Sequence, residues 1–325
     1  MKRYRIWMLL PLVAATLVVA TLFGSVRIPF SALFDRSNPI LWSIRFPRVL
    51  TAALVGAALS VSGAAMQGLL KNPLADGSTL GVSSGASLGA ILAITLGLRI
   101  PGVPFSGTML MAILMAFLSL AAIITITYRL DVTLSTNTII LLGVVFSMFI
   151  SSISNLIITF AGDRVKTITF WTLGSLSGSS YANALILFLV LLACSAVLLS
   201  LTDELNAFSL GEENARSLGV NVPRVKLIVL ICVSILTGVC VSISGSIGFV
   251  GLVTPHILRL VTGPNHHRLL PASILGGAIF LMLADLLART LLRPRELPIG
   301  VVTSIIGTLI FITIFYRNRK GDLPQ

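Results

Sequence analysis

Side chains capable of nucleophilic, acid–base or metal chemistry are few in this chain and far apart. The three cysteines, Cys194, Cys232 and Cys240, lie inside apolar runs without metal-ligand spacing, which predicts buried thiols and neither a disulfide nor a zinc site. His266 and His267 fall in a predicted loop, so we expect solvated histidines, with metal binding as the weaker alternative. No nucleophile–base pair accompanies them, and this disfavours a membrane enzyme.

A nucleotide-binding loop is also missing from the sequence. The P-loop pattern G-x-x-x-x-G-K-[ST] is absent, and no Gly-Lys dipeptide occurs anywhere in the chain. We therefore do not expect this chain to bind ATP through that motif. Any ATP on which it depends would be used by another protein.

Asp285 is the one acidic residue that we place inside a predicted membrane span. Arg289 follows it by four positions, the spacing at which an acid and a base on one helix form a pair. Mutual neutralisation at the membrane edge is one interpretation, and an Arg289 that faces outward toward a partner is the other. Carriers driven by protons or sodium usually contain more intramembrane ionisable groups, so their scarcity disfavours a secondary transporter.

The segment Ser209-Leu210-Gly211-Glu212 has the capping-box pattern that begins a helix. Gly219 can end that helix in the left-handed conformation. We therefore predict a helix from about Leu210 to Leu218, with one apolar side and one charged side. Such a helix could lie on the bilayer surface, but docking of a soluble subunit explains it better.

The elements that position these residues are predicted to be membrane helices. Of the 325 residues, 56% are hydrophobic and only 10% are charged, whereas roughly 25% are charged in a typical soluble domain. This composition excludes a soluble enzyme or a secreted domain. The net charge of +12 comes from Lys and Arg between long uncharged runs, which favours anchoring to lipid headgroups over binding to nucleic acid.

Ten apolar runs, uncharged except for Asp285 in one of them, predict membrane helices. They are Ile6–Val26, Val49–Leu70, Gly77–Leu98, part of Ile100–Tyr128, Val132–Gly162, Ala184–Leu201, two within Leu227–Leu258 divided at Ser244-Gly245-Ser246, Pro271–Leu287 and Pro298–Tyr316. An even number of spans puts both termini on one side. That side holds slightly more Lys and Arg, which predicts cytoplasmic termini.

Small residues recur at every fourth position in the second and third predicted spans. They are Gly56, Ser60, Ala64 and Gly68, followed by Gly81, Gly85 and Gly89. Such faces permit tight helix packing, and they could also line a translocation path. The similar segments Ser60–Gly63 and Ser242–Gly245 suggest that the single domain, residues 1–325, consists of inverted halves, about 1–165 and 166–325.

Several segments together resemble the type II ABC-importer permeases of the iron-siderophore, haem and cobalamin group, the FecCD-type family. The resemblance covers nearly the whole chain. It rests on Arg45–Arg48, Gly56–Leu59, Ser62–Ala64, Gln67, Asn72–Ala75, Leu80–Ala86, Gly211-Glu212, Ala215, Leu218-Gly219, Gly245–Val253, Pro255–Arg259, Leu283–Asp285, Ala288-Arg289 and Glu296–Val301.

The resemblance implies an all-α bundle of about ten membrane helices in the bacterial cytoplasmic membrane. It also implies a homodimer or heterodimer of permeases with the translocation path at the dimer interface. Cytoplasmic ATPase subunits would use the ATP, an extracytoplasmic substrate-binding protein would dock outside, and this chain would bind no cofactor itself. The implied substrate is a ferric siderophore, with haem or cobalamin as the alternative.

The same resemblance assigns roles to particular residues. Arg45 and Arg289 would lie on the outer surface and meet acidic residues of the binding protein. The predicted loop helix would couple to the ATPase through Ser209, Leu210, Gly211, Glu212, Ala215 and Leu218. An inner gate would include Asn72, Leu134, Ser135 and Thr136.

Overall fold

A computed structural model describes residues 7–24, 35, 38–98, 106–131 and 134–321 of the chain. Regular structure in these residues is helical, which confirms the predicted fold class. The α-helices are α1 Leu9–Leu22, α2 Phe46–Leu69, α3 Val82–Leu96, α4 Ser106–Leu130, α5 Thr136–Thr159, α6 Val165–Thr172, α7 Tyr181–Ser200, α8 Thr202–Phe208, α9 Glu212–Ser217, α10 Val222–Ser244, α11 Val250–Thr262, α12 His266–Thr290 and α13 Ile299–Gly321.

Each of the ten predicted spans overlaps one of these helices. Within the described ranges, six helical stretches are long and apolar enough to cross a membrane: Ile40–Leu69, Gly107–Leu130, Thr136–Thr159, Tyr181–Ser200, Val222–Ser244 and His266–Thr290. Shorter apolar helices occupy the other positions: Leu9–Leu22, Val82–Leu96, Val250–Thr262 and Ile299–Ile314. The chain is a multi-pass membrane protein. Residues 6, 25 and 26 of the first predicted span lie outside the described residues.

The predicted start of one span, at Leu227, is wrong by about one helical turn. The helix α10 begins at Val222 because the side chain of Asn221 accepts a hydrogen bond from the backbone N–H of Arg224, at 3.2 Å. Pro223 adds a fixed backbone angle in the first turn, where its missing N–H costs nothing. As a result, Lys226 lies inside the helix and not in a loop.

The break predicted at Ser244-Gly245-Ser246 is confirmed. The helix α10 ends at Ser244, and Gly245 has a φ of +68°. The backbone N–H of Ser175, in the non-helical segment after α6, donates to the carbonyl of Ser244 at 2.8 Å. The N–H of Ile299 donates to the carbonyl of Gly174 at 3.2 Å. The irregular segments thus satisfy each other's backbone groups, as they must where lipid offers no partners.

The helix α2 lies at the centre of the bundle, with nearly all of its residues buried. Glycines allow its backbone to touch two neighbours. A Cβ on Gly56 would overlap the carbonyl of Gly277 in α12, and a Cβ on Gly63 would overlap that of Gly251 in α11. Gly68 is equally close to the ring of His266. The stripe of small residues therefore serves tight helix packing.

The second stripe of small residues is only partly a helix face. Gly85 and Gly89 of α3 pack against Ser119 and the Met111 carbonyl of α4, where a Cβ would overlap both. Gly81, in contrast, precedes α3 in the left-handed conformation, with a φ of +72°. Its inclusion in the stripe was wrong, because the chain turns there after Asp76 caps a short 3-10 turn.

The two segments behind the inverted-repeat hypothesis differ in local structure. Ser60–Gly63 lies inside α2, while Ser242–Gly245 spans the end of α10. The organisation into halves stays a prediction.

The packing of α2 predicts that Gly63→Ala destabilises the protein. The added methyl group meets backbone atoms of Gly251, so the two helices must separate; overpacking of this kind typically costs about 1–3 kcal/mol. The measurement is thermal unfolding in detergent, with Gly178→Ala as the control, since no atom lies within 4 Å of a Cβ there. Equal stability of the two variants would contradict the packing described above.

Candidate functional site

The loop between α7 and α10 folds into two short helices where one was predicted. Ser209 follows α8 in a helical conformation, and its hydroxyl donates to the carbonyl of Leu205 at 3.3 Å. The helix α9 begins only at Glu212, after Gly211 with a φ of +111°. The predicted capping box at Ser209 is therefore wrong. Burial of Leu205 and Phe208 extends α8 to the position where the sequence pattern places a helix start.

The exposed side of this loop is apolar at two points. Leu210 is 61% exposed and Leu218 is 65% exposed, while Ala215 between them is fully buried. Gly219 ends α9 as predicted, with a φ of +86° and its N–H on the carbonyl of Arg216. The loop therefore presents two large apolar side chains at the end of the bundle that carries α8 and α9, the α9 end.

Predicted coupling and gate residues meet at the α9 end. A carboxylate oxygen of Glu212 accepts from the ammonium of Lys226 at 2.6 Å and from the hydroxyl of Thr136 at 2.8 Å. The same ammonium donates to the carbonyl of Leu134 at 2.6 Å. Ser135 caps α5, because its hydroxyl accepts from the N–H of the third helical residue. Glu212 and Leu134 thus bind Lys226 directly, and Thr136 is joined to it through Glu212.

The remaining predicted gate residue, Asn72, lies apart from this group and lines a cleft of about 280 Å³. Its side chain accepts from the N–H of Leu74 at 2.9 Å and shapes the turn after α2. Ser209, Lys71 and Arg259 line the same cleft. Asn72 is therefore adjacent to the coupling loop.

A polar strip on α5 was missed by the sequence analysis. Ser147, Ser151 and Asn155 lie at four-residue spacing and line a groove of about 410 Å³ together with Ser78 and Thr79. Ser151 and Asn155 are exposed on a helix long and apolar enough to span the membrane. Polar side chains in a span face protein or water and not lipid. The four-residue spacing was the available signal.

At the opposite end of the bundle, two arginines share one buried carboxylate. The Nε of Arg48 lies 3.0 Å from Oδ1 of Asp285, and the Nε of Arg289 lies 2.8 Å from Oδ2. Arg48 also donates to Glu296 at 2.8 Å. Asp285 is fully buried. The mutual-neutralisation interpretation is thus correct, and the outward-facing one is not.

Arg45 and Arg289 were expected on the outer surface, but both are buried within the chain. Arg45 donates to the carbonyl of Leu22 at 2.8 Å, and Arg289 donates to that of Ala20 at 3.0 Å. Both carbonyls belong to the last turn of α1. They have no hydrogen-bond partners within the helix, and they lie at the negative end of the helix dipole. The two arginines are only 5% and 3% exposed. Their docking role stays a prediction.

The remaining candidates for chemistry are structural. All three cysteines are free and buried, as predicted. His266 is 2% exposed and bound to Asn206, so its description as a solvated loop residue is wrong; only His267, which pairs with Asp203 at 2.7 Å, is exposed. In the part of the chain that the structure describes, no group of three or more His, Cys, Asp or Glu side chains could hold a metal ion.

Comparison with known proteins matches this arrangement to transport permeases. The model of the FecCD transport family matches residues 12–317. A Bacillus subtilis relative, the uncharacterized ABC transporter permease protein YvrB, is 44% identical over 95% of this chain and 92% of its own. The cobalamin import system permease protein BtuC of Halobacterium salinarum is 39% identical over 88% and 75%, respectively. The molybdate import system permease protein MolB of Haemophilus influenzae is 36% identical over 88% and 83%.

A solved structure supports the same conclusion about the fold. It is described as an inward-facing conformation of a metal-chelate type ABC transporter. The two chains superpose with a TM-score of 0.87 at 33% identity, over 97% of this chain and 99% of the other. The type II importer permease fold is thereby confirmed.

The shared carboxylate predicts that Asp285→Leu is strongly destabilising. Arg48 and Arg289 would stay buried without their common partner, and breaking a buried ion pair costs about 3–5 kcal/mol. Asp285→Leu/Arg289→Leu should recover part of the loss, because fewer unpaired charges remain. Thermal unfolding in detergent measures both, with the exposed Asp203→Leu as control. A single variant as stable as the wild type would refute the shared-carboxylate description.

Proposed function

We propose that this chain, which belongs to the FecCD transport family, is the permease subunit of an ABC importer that carries ferric siderophores across the bacterial cytoplasmic membrane. One observation supports the permease role most directly. The apolar loop at the α9 end is bonded through Glu212 to the first residues of α5, and α5 also carries the polar strip. A partner bound to the loop would therefore act on a polar path through the membrane.

The energy source in this proposal is a separate ATPase. The sequence has no P-loop, so ATP would be bound by cytoplasmic partner subunits and no cofactor by this chain. Leu210 and Leu218 are the side chains that such a subunit would bury. Glu213 and Arg216, both exposed on α9, would form the charged rim of the contact.

The polar strip supports a dimer of permeases. Exposed Ser151 and Asn155 gain nothing from lipid contact. A second permease, identical or different, would cover this side of α5 and enclose a water-filled path. The strip carries hydroxyl and amide groups without formal charge, so large chelates could slide along it without strong binding.

The orientation of the chain follows from the same proposal. The α9 end and both termini would be cytoplasmic, because the ATPase is. At the opposite end, Arg293 and Arg295 are exposed and lie close in the chain to the buried Arg289. They would be available to acidic residues of an extracytoplasmic binding protein. Arg45 and Arg289 would support this docking surface by holding the end of α1 in place.

The ATPase contact predicts that Leu218→Asp weakens binding of the partner. Burial of one leucine contributes about 1.5–3 kcal/mol, so affinity should fall about tenfold or more. Co-purification of the tagged ATPase with the permease measures this. Leu292→Asp is the matched control, since Leu292 is a 59% exposed leucine at the opposite end. An unchanged yield of ATPase with Leu218→Asp would favour a loop that merely lies on the bilayer.

The substrate is tested in proteoliposomes that contain the permease, its ATPase and its binding protein. We expect ATP-dependent uptake of a labelled ferric siderophore, with little uptake of haem, cobalamin or molybdate. Uptake of haem or cobalamin alone would replace the siderophore with the alternative substrate and keep the importer. Uptake without ATP would overturn the importer and favour a secondary carrier.

A further inference from the structure

We propose that the ion pair of the buried Lys226 and the half-buried Glu212 is a positioning link that carries movement of α9 to the first turn of α5. This inference rests on the proposed function, because it takes the loop at the α9 end as the ATPase contact. It goes further in naming the side chains that connect that contact to the path.

Lys226 is in an unusual place for a lysine. Its side chain is fully buried near the start of α10, whereas lysines in folded proteins are almost never buried without a partner. Its ammonium group donates to Glu212 and to the carbonyl of Leu134, each at 2.6 Å. A desolvated ammonium group is tolerated only when it is paired in this way.

Glu212 occupies the other side of the junction and joins three helices at one oxygen atom. It is the first residue of α9, and its Oε1 binds both Lys226 of α10 and Thr136 of α5. Short, charge-assisted bonds of this kind are stronger and more directional than neutral ones. A displacement of α9 therefore moves the start of α5 with it.

The backbone at Leu134 supports a specific role for the junction. Leu134 has a φ of +52°, a region that leucine rarely adopts, and its side chain is buried. This conformation directs its carbonyl to Lys226 while the next residue, Ser135, caps α5. The bond to Lys226, together with the bonds from the N–H groups of Leu134 and Ser135 to Asp131, holds the local backbone in an unfavourable state, which is typical of active sites and switch regions.

The alternative is that the pair only stabilises the fold, and paired substitution separates the two roles. Replacing both members of a buried ion pair by apolar residues is often neutral for stability. Lys226→Met/Glu212→Leu should therefore keep the thermal stability and the capture of the ATPase near the wild-type level. The number of substrate molecules imported per ATP hydrolysed should fall about fivefold or more, a change typical of lost coupling between sites.

The controls change exposed neighbours on the same two helices, through Ser217→Ala on α9 and Arg224→Met on α10. Both should keep the wild-type ratio of transport to hydrolysis. If the paired variant fails to assemble, Thr136→Val decides in its place, because it removes one bond to Glu212 with little change of shape. A reduced ratio supports the link, and an unchanged ratio overturns it.

The wild-type protein separates failure of this link from failure of the proposed function. If the wild type does not capture an ATPase or show ATP-dependent uptake, the proposed function is wrong and the link falls with it. If the wild type does both and the paired variant keeps its ratio of transport to hydrolysis, the importer stands and only the link is wrong.

Discussion

The close approach of α2 to α11 and α12 determines how the rest of the bundle is arranged. Lipid tails are as apolar as leucine, so helices in a bilayer gain contact mainly where their backbones can touch. Gly56 and Gly63 permit this at two levels of α2, against α12 and α11 respectively. The same approach brings Arg48 to Asp285 near one end of α2 and Gln67 to Arg259, at 3.0 Å, near the other. The polar contacts of α2 therefore follow from its glycines.

Several backbone and charged groups inside the bundle bind one another because the surroundings offer no other partners. The carbonyls at the end of α1 are bound by arginines, and the irregular segments around Gly174 and Ser244 exchange backbone bonds. Lys226 at the α9 end is partnered in the same way. Buried charge thus gathers near both ends of the bundle, while the exposed side of α5 keeps uncharged polar groups in the span. This division suits a path that must pass a bulky solute without holding it.

Hydrophobic pattern alone predicted the spans, since an uncharged run of sufficient length has no other stable place than the membrane. The break at Gly245 and the end of α9 at Gly219 were equally predictable from glycine. The end of α8 and the location of Lys226 could not be predicted from the local pattern, because both depend on burial in the folded chain. Phe208 extended α8 past the apparent cap at Ser209, and burial of Lys226 placed a charge where charge was assumed to mark a loop. The exposure of Arg45 was misjudged for the same reason.

The arginines at the end of α1 also bear on how the protein is made. Ala20 and Leu22 are synthesised shortly before Arg45, which follows only 23 residues after Leu22. Arg289 is 269 residues beyond Ala20. During synthesis, the end of α1 can therefore bind Arg45 well before Arg289 has been made. Arg48 likewise exists before its partner Asp285. Completion of α12 supplies the missing carboxylate and the second arginine together. A product that lacks α12 would therefore leave Arg48 without Asp285 and the last turn of α1 without Arg289.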